Sequence, residues 1–211
     1  MENIPQDSLS GRTVSWRNVF LSVFSGYDYE VCQSFWRRCY YDKSLLLYHS
    51  DGQLCVAMAT QILVGYFKGA GDNDEVDKRV KFTISVAMLL SGTISTLLYL
   101  NADAVLSIFT DDPAVHALGK TILFIEIFLE IGRAVNMSMV MALNAAGDVR
   151  APVTIGIIFM WSVATFGSWL LGVRWGWGLA GIWIAMAADE CTRGLVFFWR
   201  WHQGVWRKRF A

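Results

Sequence analysis

A chain of 211 residues in which 18 Lys and Arg balance 18 Asp and Glu carries a formal net charge of zero, so it offers no electrostatic reason for a nucleic-acid partner. Charged residues make up 17% and hydrophobic residues 55%; against the ~25% charge of soluble domains, this excludes a disordered chain and an ordinary soluble domain and makes membrane lipid part of the solvent. Cys32, Cys39, Cys55 and Cys191 form no C-x-x-C pair, and His49, His116 and His202 are scattered, so neither metal-ligand spacing nor a disulfide framework is present.

The opening MENIPQDSLSGRTVSWRNVF has no basic stretch followed by an apolar one, which predicts no signal peptide. WRNVFLSVF is apolar only briefly and WRRCYYDKS is charged, so residues 1–51 never reach the ~18 apolar residues of a membrane helix. They read as a surface-lying arm or as a segment that does not fold on its own. Beyond them, uncharged runs set the architecture: 16 residues over 52–67, 21 over 82–102 and 23 over 151–173. Each is near the ~20 residues that cross a hydrocarbon core as a helix. Two more apolar stretches carry internal charges, Lys120, Glu126, Glu130 and Arg133 in one and Asp189, Glu190 and Arg193 in the other. The fold expected is an all-α membrane protein. Residues 52–210 hold five transmembrane helices, near 52–68, 82–102, 118–146, 152–173 and 177–199.

The connections are short. GAGDNDEVDKRVK (69–81) is a polar link opened by a helix-stopping Gly pair, TDDPAV (110–115) is a turn, and AAGDVRAP (145–152) joins a stop Gly147 to a start Pro152. GVRWGWG (172–178) is a Trp-rich turn. Lys68, Lys78, Arg79, Lys81, Arg150, Arg200, Arg207, Lys208 and Arg209 fall on one side and Arg174 alone on the other. The positive-inside rule then places the C-terminus in the cytoplasm. Trp175, Trp177, Trp199, Trp201 and Trp206 stand where an interfacial belt is expected.

Most motif matches have plain readings. GWGLAG (176–181) fits G-x-G-x-x-G but has no strand before it and Trp201 where an acid would be needed, so it reads as a loop entering a helix. DNDEVD (72–77) lacks EF-hand spacing and reads as a solvated loop. The sequon at Asn136 lies inside a helix. Gly65 with Gly69, and Gly172 with Gly176, form G-x-x-x-G pairs suited to close helix packing, and Asn144 reads as interhelical glue.

Glu126, Glu130, Arg133 and Asn136 are the candidate site. They fit within one broad helix face, and a charge at mid-bilayer costs roughly 2.5–3.5 kcal/mol, so they must face protein or a wet cavity. One reading is a structural salt bridge. The other is a cation or proton coupling site, with one carboxylate paired to Arg133 and the other left to titrate. Asp189, Glu190 and Arg193 form a second cluster read as structural, made of local pairs with Arg193 snorkelling.

TQILVGYFKGAGD (60–72), SIFTDDPAV (107–115), LEIGRAVNMSMVMALNAAGDVRAPV (129–153) and GLAGIWIAMAADECTRG (178–194) resemble the multidrug and toxic compound extrusion (MATE) family. The resemblance covers about residues 52–210 and looks like the last five of that family's twelve helices, most of its C-terminal lobe. It implies a secondary antiporter in a bacterial plasma (inner) membrane, with no cofactor, expelling organic cations or other small molecules in exchange for Na⁺ or H⁺. Cation sites of that family draw on acids of the antepenultimate helix, where Glu126 and Glu130 stand. A lobe alone cannot close the central cavity, so the chain is expected to be inactive by itself, or to pair with a missing transporter half or a second copy. YYDKSLLLYHSDGQLC (40–55) departs from the family, which suggests a truncated or frameshifted gene recovering its frame near residue 52. A non-transporting membrane interaction protein, or the remnant of a broken transporter gene, is the alternative. An enzyme is not expected, because no nucleophile–base pair or metal cluster is present.

Overall fold

The computed structural model describes residues 44–108 and 112–208, all within the second of two units into which the chain divides, Asp42–Ala211. The expectation of an unfolded or surface-lying arm falls on residues 1–51, of which 1–43 lie outside the described residues. The described residues are helical, with no strand among them: α1 (Ser44–Gly69), α2 (Asn73–Leu100), the short α3 (Ala102–Ser107), α4 (Pro113–Ala145), α5 (Arg150–Arg174) and α6 (Gly178–His202), then a 3₁₀ turn at Val205–Lys208.

The helices begin earlier than the uncharged runs. An uncharged run marks what can sit in hydrocarbon, whereas the backbone ladder continues through polar residues that helices accept. α2 shows this best. Asp72 caps it by accepting from the Glu75 backbone N–H at 3.0 Å, and Asp74 and Glu75 complement the dipole of the first turn. Glu75 pairs with Lys78 at 3.0 Å and Arg79 at 3.2 Å, and Asp77 with Lys81 at 2.6 Å. DNDEVD is therefore a capped helix start rather than a solvated loop, and the expected 69–81 link shrinks to three residues, 70–72.

The stop is also displaced. The Gly71 N–H donates to Lys68 O and the Asp72 N–H to Phe67 O, both at 3.0 Å, with Gly71 at φ 79°. This is a Schellman motif that uses Gly71, not Gly69. Gly147 repeats it after α4, at φ 85° with the Asp148 N–H on Leu143 O at 2.8 Å. At the start of α4, Asp112 accepts from the Ala114 N–H at 2.8 Å and Pro113 takes the first position. α5 is irregular: two wide π-helical segments, Met160–Thr165 and Trp169–Arg174, flank a short α-turn.

α4 is the central helix, packed against α1, α2 and α6, while α5 rests on α6. Among the described residues two helices, Asn73–Leu100 and Arg150–Arg174, are long and apolar enough by composition to cross a membrane, not five. The reason lies in composition: α4 carries Lys120, Glu126, Glu130 and Arg133, α6 carries Asp189, Glu190, Arg193 and Arg200, and α1 is diluted by Gln53, Thr60 and Gln61.

The main core lies at one end, where α1, α4 and α6 finish and α2 begins: Val64, Val76, Val80, Met139, Leu143 and Phe197 gather there with Trp201 and Trp206. Those two tryptophans are core residues rather than members of an interfacial belt. They stack with centroids 4.3 Å apart, the Trp201 indole N–H donates to Asp77 at 2.9 Å, and Lys68 donates to the Trp206 carbonyl at 2.6 Å. Trp175, Trp177 and Trp199 are exposed. At the opposite end Lys120 meets Asp103 at 2.7 Å, adding a second basic residue to the side that held Arg174.

Of the four glycines expected at close helix approaches only Gly172 serves there, and Gly132 and Gly181 join it. A Cβ on Gly65 or Gly69 would meet nothing within 4 Å, and Gly176 is equally open, though Gly172 does lie against Ile182. On Gly132 a Cβ would come within 2.7 Å of Cys191 Sγ and 2.9 Å of its backbone N. On Gly181 it would come within 2.8 Å of the Leu171 carbonyl. Gly132 lets α4 and α6 touch, and Gly181 lets α5 and α6 touch.

Candidate site at the α4–α6 interface

α4 and α6 run in the same direction, so residues near Glu126 meet those near Trp183, and residues near Asn136 meet those near Glu190. The close packing allowed by Gly132, and by Gly194, where an added Cβ would come within 3.3 Å of the Gly132 carbonyl, leaves a thin polar line between otherwise apolar surfaces.

The first group lies around the middle of α4. Glu130 is almost fully buried; it takes the Arg133 guanidinium on one oxygen and the Gln53 amide on the other. Gln53 Nε2 also reaches Ser91 Oγ at 2.8 Å, so this ion pair ties α1, α2 and α4 together. Glu126 is placed differently. The Trp183 indole N–H donates to its Oε2 at 2.8 Å, and both Glu130 and Arg133 are within electrostatic reach. Glu126 thus receives a neutral donor while its neighbour holds the cation.

The second group lies further along. Asn136 Nδ2 donates to Glu190 Oε2 at 2.6 Å. Arg193 uses one nitrogen, Nη2, for Asp189 at 2.6 Å and Glu190 at 3.1 Å. The local pairs expected on α6 are present, and Asn136 joins them to α4. The two clusters separated in the sequence each link α4 to α6, through Glu126–Trp183 and Asn136–Glu190, and each sets two carboxylates against one guanidinium. Asn144 Oδ1 is buried without a hydrogen-bond partner, so the expected interhelical bond is not made through that atom.

Gln53, Ser91 and Trp183 were not anticipated. Gln53 and Ser91 interrupt apolar runs, which is the usual mark of a polar bond between membrane helices. Trp183 carries no such mark, since an indole among apolar residues reads as core. Among the described residues no group of three His, Cys, Asp or Glu side chains is arranged to hold a metal ion.

Comparison with known proteins gives a consistent picture. The family model described as MatE matches residues 53–170. The uncharacterized transporter YisQ of Bacillus subtilis is 32% identical over 151 residues, which is 72% of this chain and 33% of YisQ. A probable multidrug resistance protein NorM of Thermotoga maritima is 25% identical over 154 residues, 73% of this chain and 33% of that protein. A protein of the same description from Bacillus cereus is 30% identical over 133 residues, 63% and 29% of the two chains. The chain spans about a third of the length of these curated relatives.

Proposed function

The chain belongs to the MatE family, and from that premise we propose that its helices form part of the C-terminal lobe of a secondary antiporter, with Glu126 taking the coupling ion. α1, α2, α4, α5 and α6 each cross the bacterial plasma membrane, and the chain ends in the cytoplasm. The substrate is an organic cation or another small molecule, exported against inward Na⁺ or H⁺. The multidrug resistance descriptions of the relatives support that substrate class.

The observation that carries the reading is the unequal treatment of two neighbouring carboxylates. Glu130 bonds the Arg133 guanidinium directly; Glu126 takes the Trp183 indole N–H, lies beside Glu130 and feels Arg133 only at longer range. In low dielectric two adjacent carboxylates resist being charged together, so the one without a cation is the one that takes up a proton or Na⁺. Lobes of this kind work by rocking about a shared midplane site. The second wall of the cavity must come from further helices, on a longer chain, on a separate half or on a second copy.

The test is a graft of residues 52–211 onto the N-terminal lobe of a family member, assayed for ion-driven efflux of an organic cation from liposomes. Glu126→Gln should abolish the dependence of efflux on the ion gradient while leaving membrane insertion intact. Unchanged Na⁺ and H⁺ dependence in that variant would remove the coupling role. The competing reading, a non-transporting interaction protein, is favoured by the open groove of about 490 Å³ between α2 and α4, lined by Met88, Gly92, Thr96 and Ile131. It predicts no efflux from the graft at all.

A further inference from the structure

We infer that Asn136, Asp189 and Glu190 form a second site for a single positive charge, a proton or an alkali-metal ion, separate from Glu126. Asp189 and Glu190 share one nitrogen of one guanidinium, so the cluster carries one negative charge in excess. Among the described residues no other cation is paired with Asp189 or Glu190. On α4, Arg133 is engaged by Glu130, which with Glu126 adds further negative charge to the same interface. On α5 the charged residues are Arg150 and Arg174, at its two ends. Further along α6, Arg200 is bound to Asp148 at 2.6 Å.

The second observation is independent of the acids. Asn136 is only 7% exposed, and its amide is aimed at the Glu190 carboxylate through Nδ2. The Oδ1 of that same amide is buried and accepts no hydrogen bond. Asp189 is 3% exposed, and its Oδ1 is buried without a partner as well. Buried polar atoms are normally satisfied, and exceptions call for an occupant. The bare amide oxygen of Asn136 and the one bare carboxylate oxygen, Asp189 Oδ1, are hard donors suited to a proton or a hard cation rather than to a soft metal, while both Glu190 oxygens are engaged by Arg193 and Asn136. One excess charge, with no group of three acid, His or Cys side chains among the described residues, fits a monovalent rather than a divalent occupant. Arg193 Nε, also buried and without a partner, would donate to a water held by that occupant.

The proposal does not depend on Glu126 coupling transport, and the experiment keeps the two apart by working in the Glu126→Gln chain. That full chain is purified in detergent. Its affinity for Na⁺ is read by titration against choline chloride at constant ionic strength. Its protonated carboxyl groups are read by the infrared carbonyl band as a function of pH. If the occupant is Na⁺, the Glu126→Gln chain binds it, and adding Glu190→Gln or Asn136→Ala weakens binding by roughly 10–100-fold. If the occupant is a proton, the Glu126→Gln chain keeps a titrating carboxylic acid band that Glu190→Gln removes and Asn136→Ala shifts. Asn136→Ala removes no charge, so it carries both readouts should Glu190→Gln fail to fold. A Glu126→Gln chain with neither Na⁺-specific binding nor a carboxylic acid band overturns the inference. So does a signal that neither further variant moves.

Discussion

Glu126 and Glu130 are one helical turn apart and face opposite fates on substitution. Glu130→Gln leaves Arg133 without its carboxylate in a buried setting, and breaking such a pair costs on the order of 3–5 kcal/mol. The folded yield and the thermal midpoint in detergent should both fall. Glu126→Gln removes no ion pair and should leave both readouts near wild type; equal losses in the two variants would undo the salt-bridge assignment. Glycines give a second contrast. Gly132→Ala forces a methyl into Cys191 backbone and sulfur, and overpacking of this kind costs about 1–3 kcal/mol. Gly65→Ala meets open space and should gain roughly 0.5–1 kcal/mol from helix propensity. The acids and Arg133 were legible in the sequence because charge in an apolar run has few explanations. Which glycines touch a neighbour was not, because spacing within one helix says nothing about where the next helix lies.

At the scale of elements, the ends were harder to read than the spans. The Schellman bonds at Gly71 and Gly147 depend on backbone turns that a string of Gly, Ala and Asp permits in several registers. Gly147→Ala should cost about 1–2 kcal/mol, because φ there is 85° and an L side chain resists that region. Thermal unfolding of the variant in detergent would measure it. The π-helical segments of α5 leave no trace in composition, since Met160–Thr165 is as apolar as its surroundings. Trp206 is the most consequential misreading. A tryptophan near a membrane-helix end normally marks the interface, yet here the 3₁₀ turn folds it back under Trp201 and Lys68. Trp206→Ala should therefore destabilise by about 3–5 kcal/mol, as for a large core aromatic. A lipid-facing indole would lose far less, and that difference is measurable by the same unfolding assay.

For the whole molecule, topology and activity are the testable properties. A reporter fused after Ala211 should behave as cytoplasmic, and a periplasmic signal would reverse every connection at once. Expressed by itself, the chain should confer little resistance to organic cations, because its helices leave the α2 side open to the surroundings. That same arrangement concentrates cohesion at one end. Val64, Val76, Val80, Leu143, Phe197 and Trp201, with Trp206 beneath them, lash four helix ends together, whereas Phe82, Leu89, Leu97 and Leu100 of α2 stay exposed along its length. The bundle is thus built like a fan held at its rivet, most densely packed at one tip and open along the α2 face of its blades. Amide exchange in detergent should be slowest near residues 76–80 and 139–143 and fastest near 97–100 and 113–117, since local opening follows buried contact. If a partner lobe docks on this chain, the blades and not the rivet are where it will find the room to move.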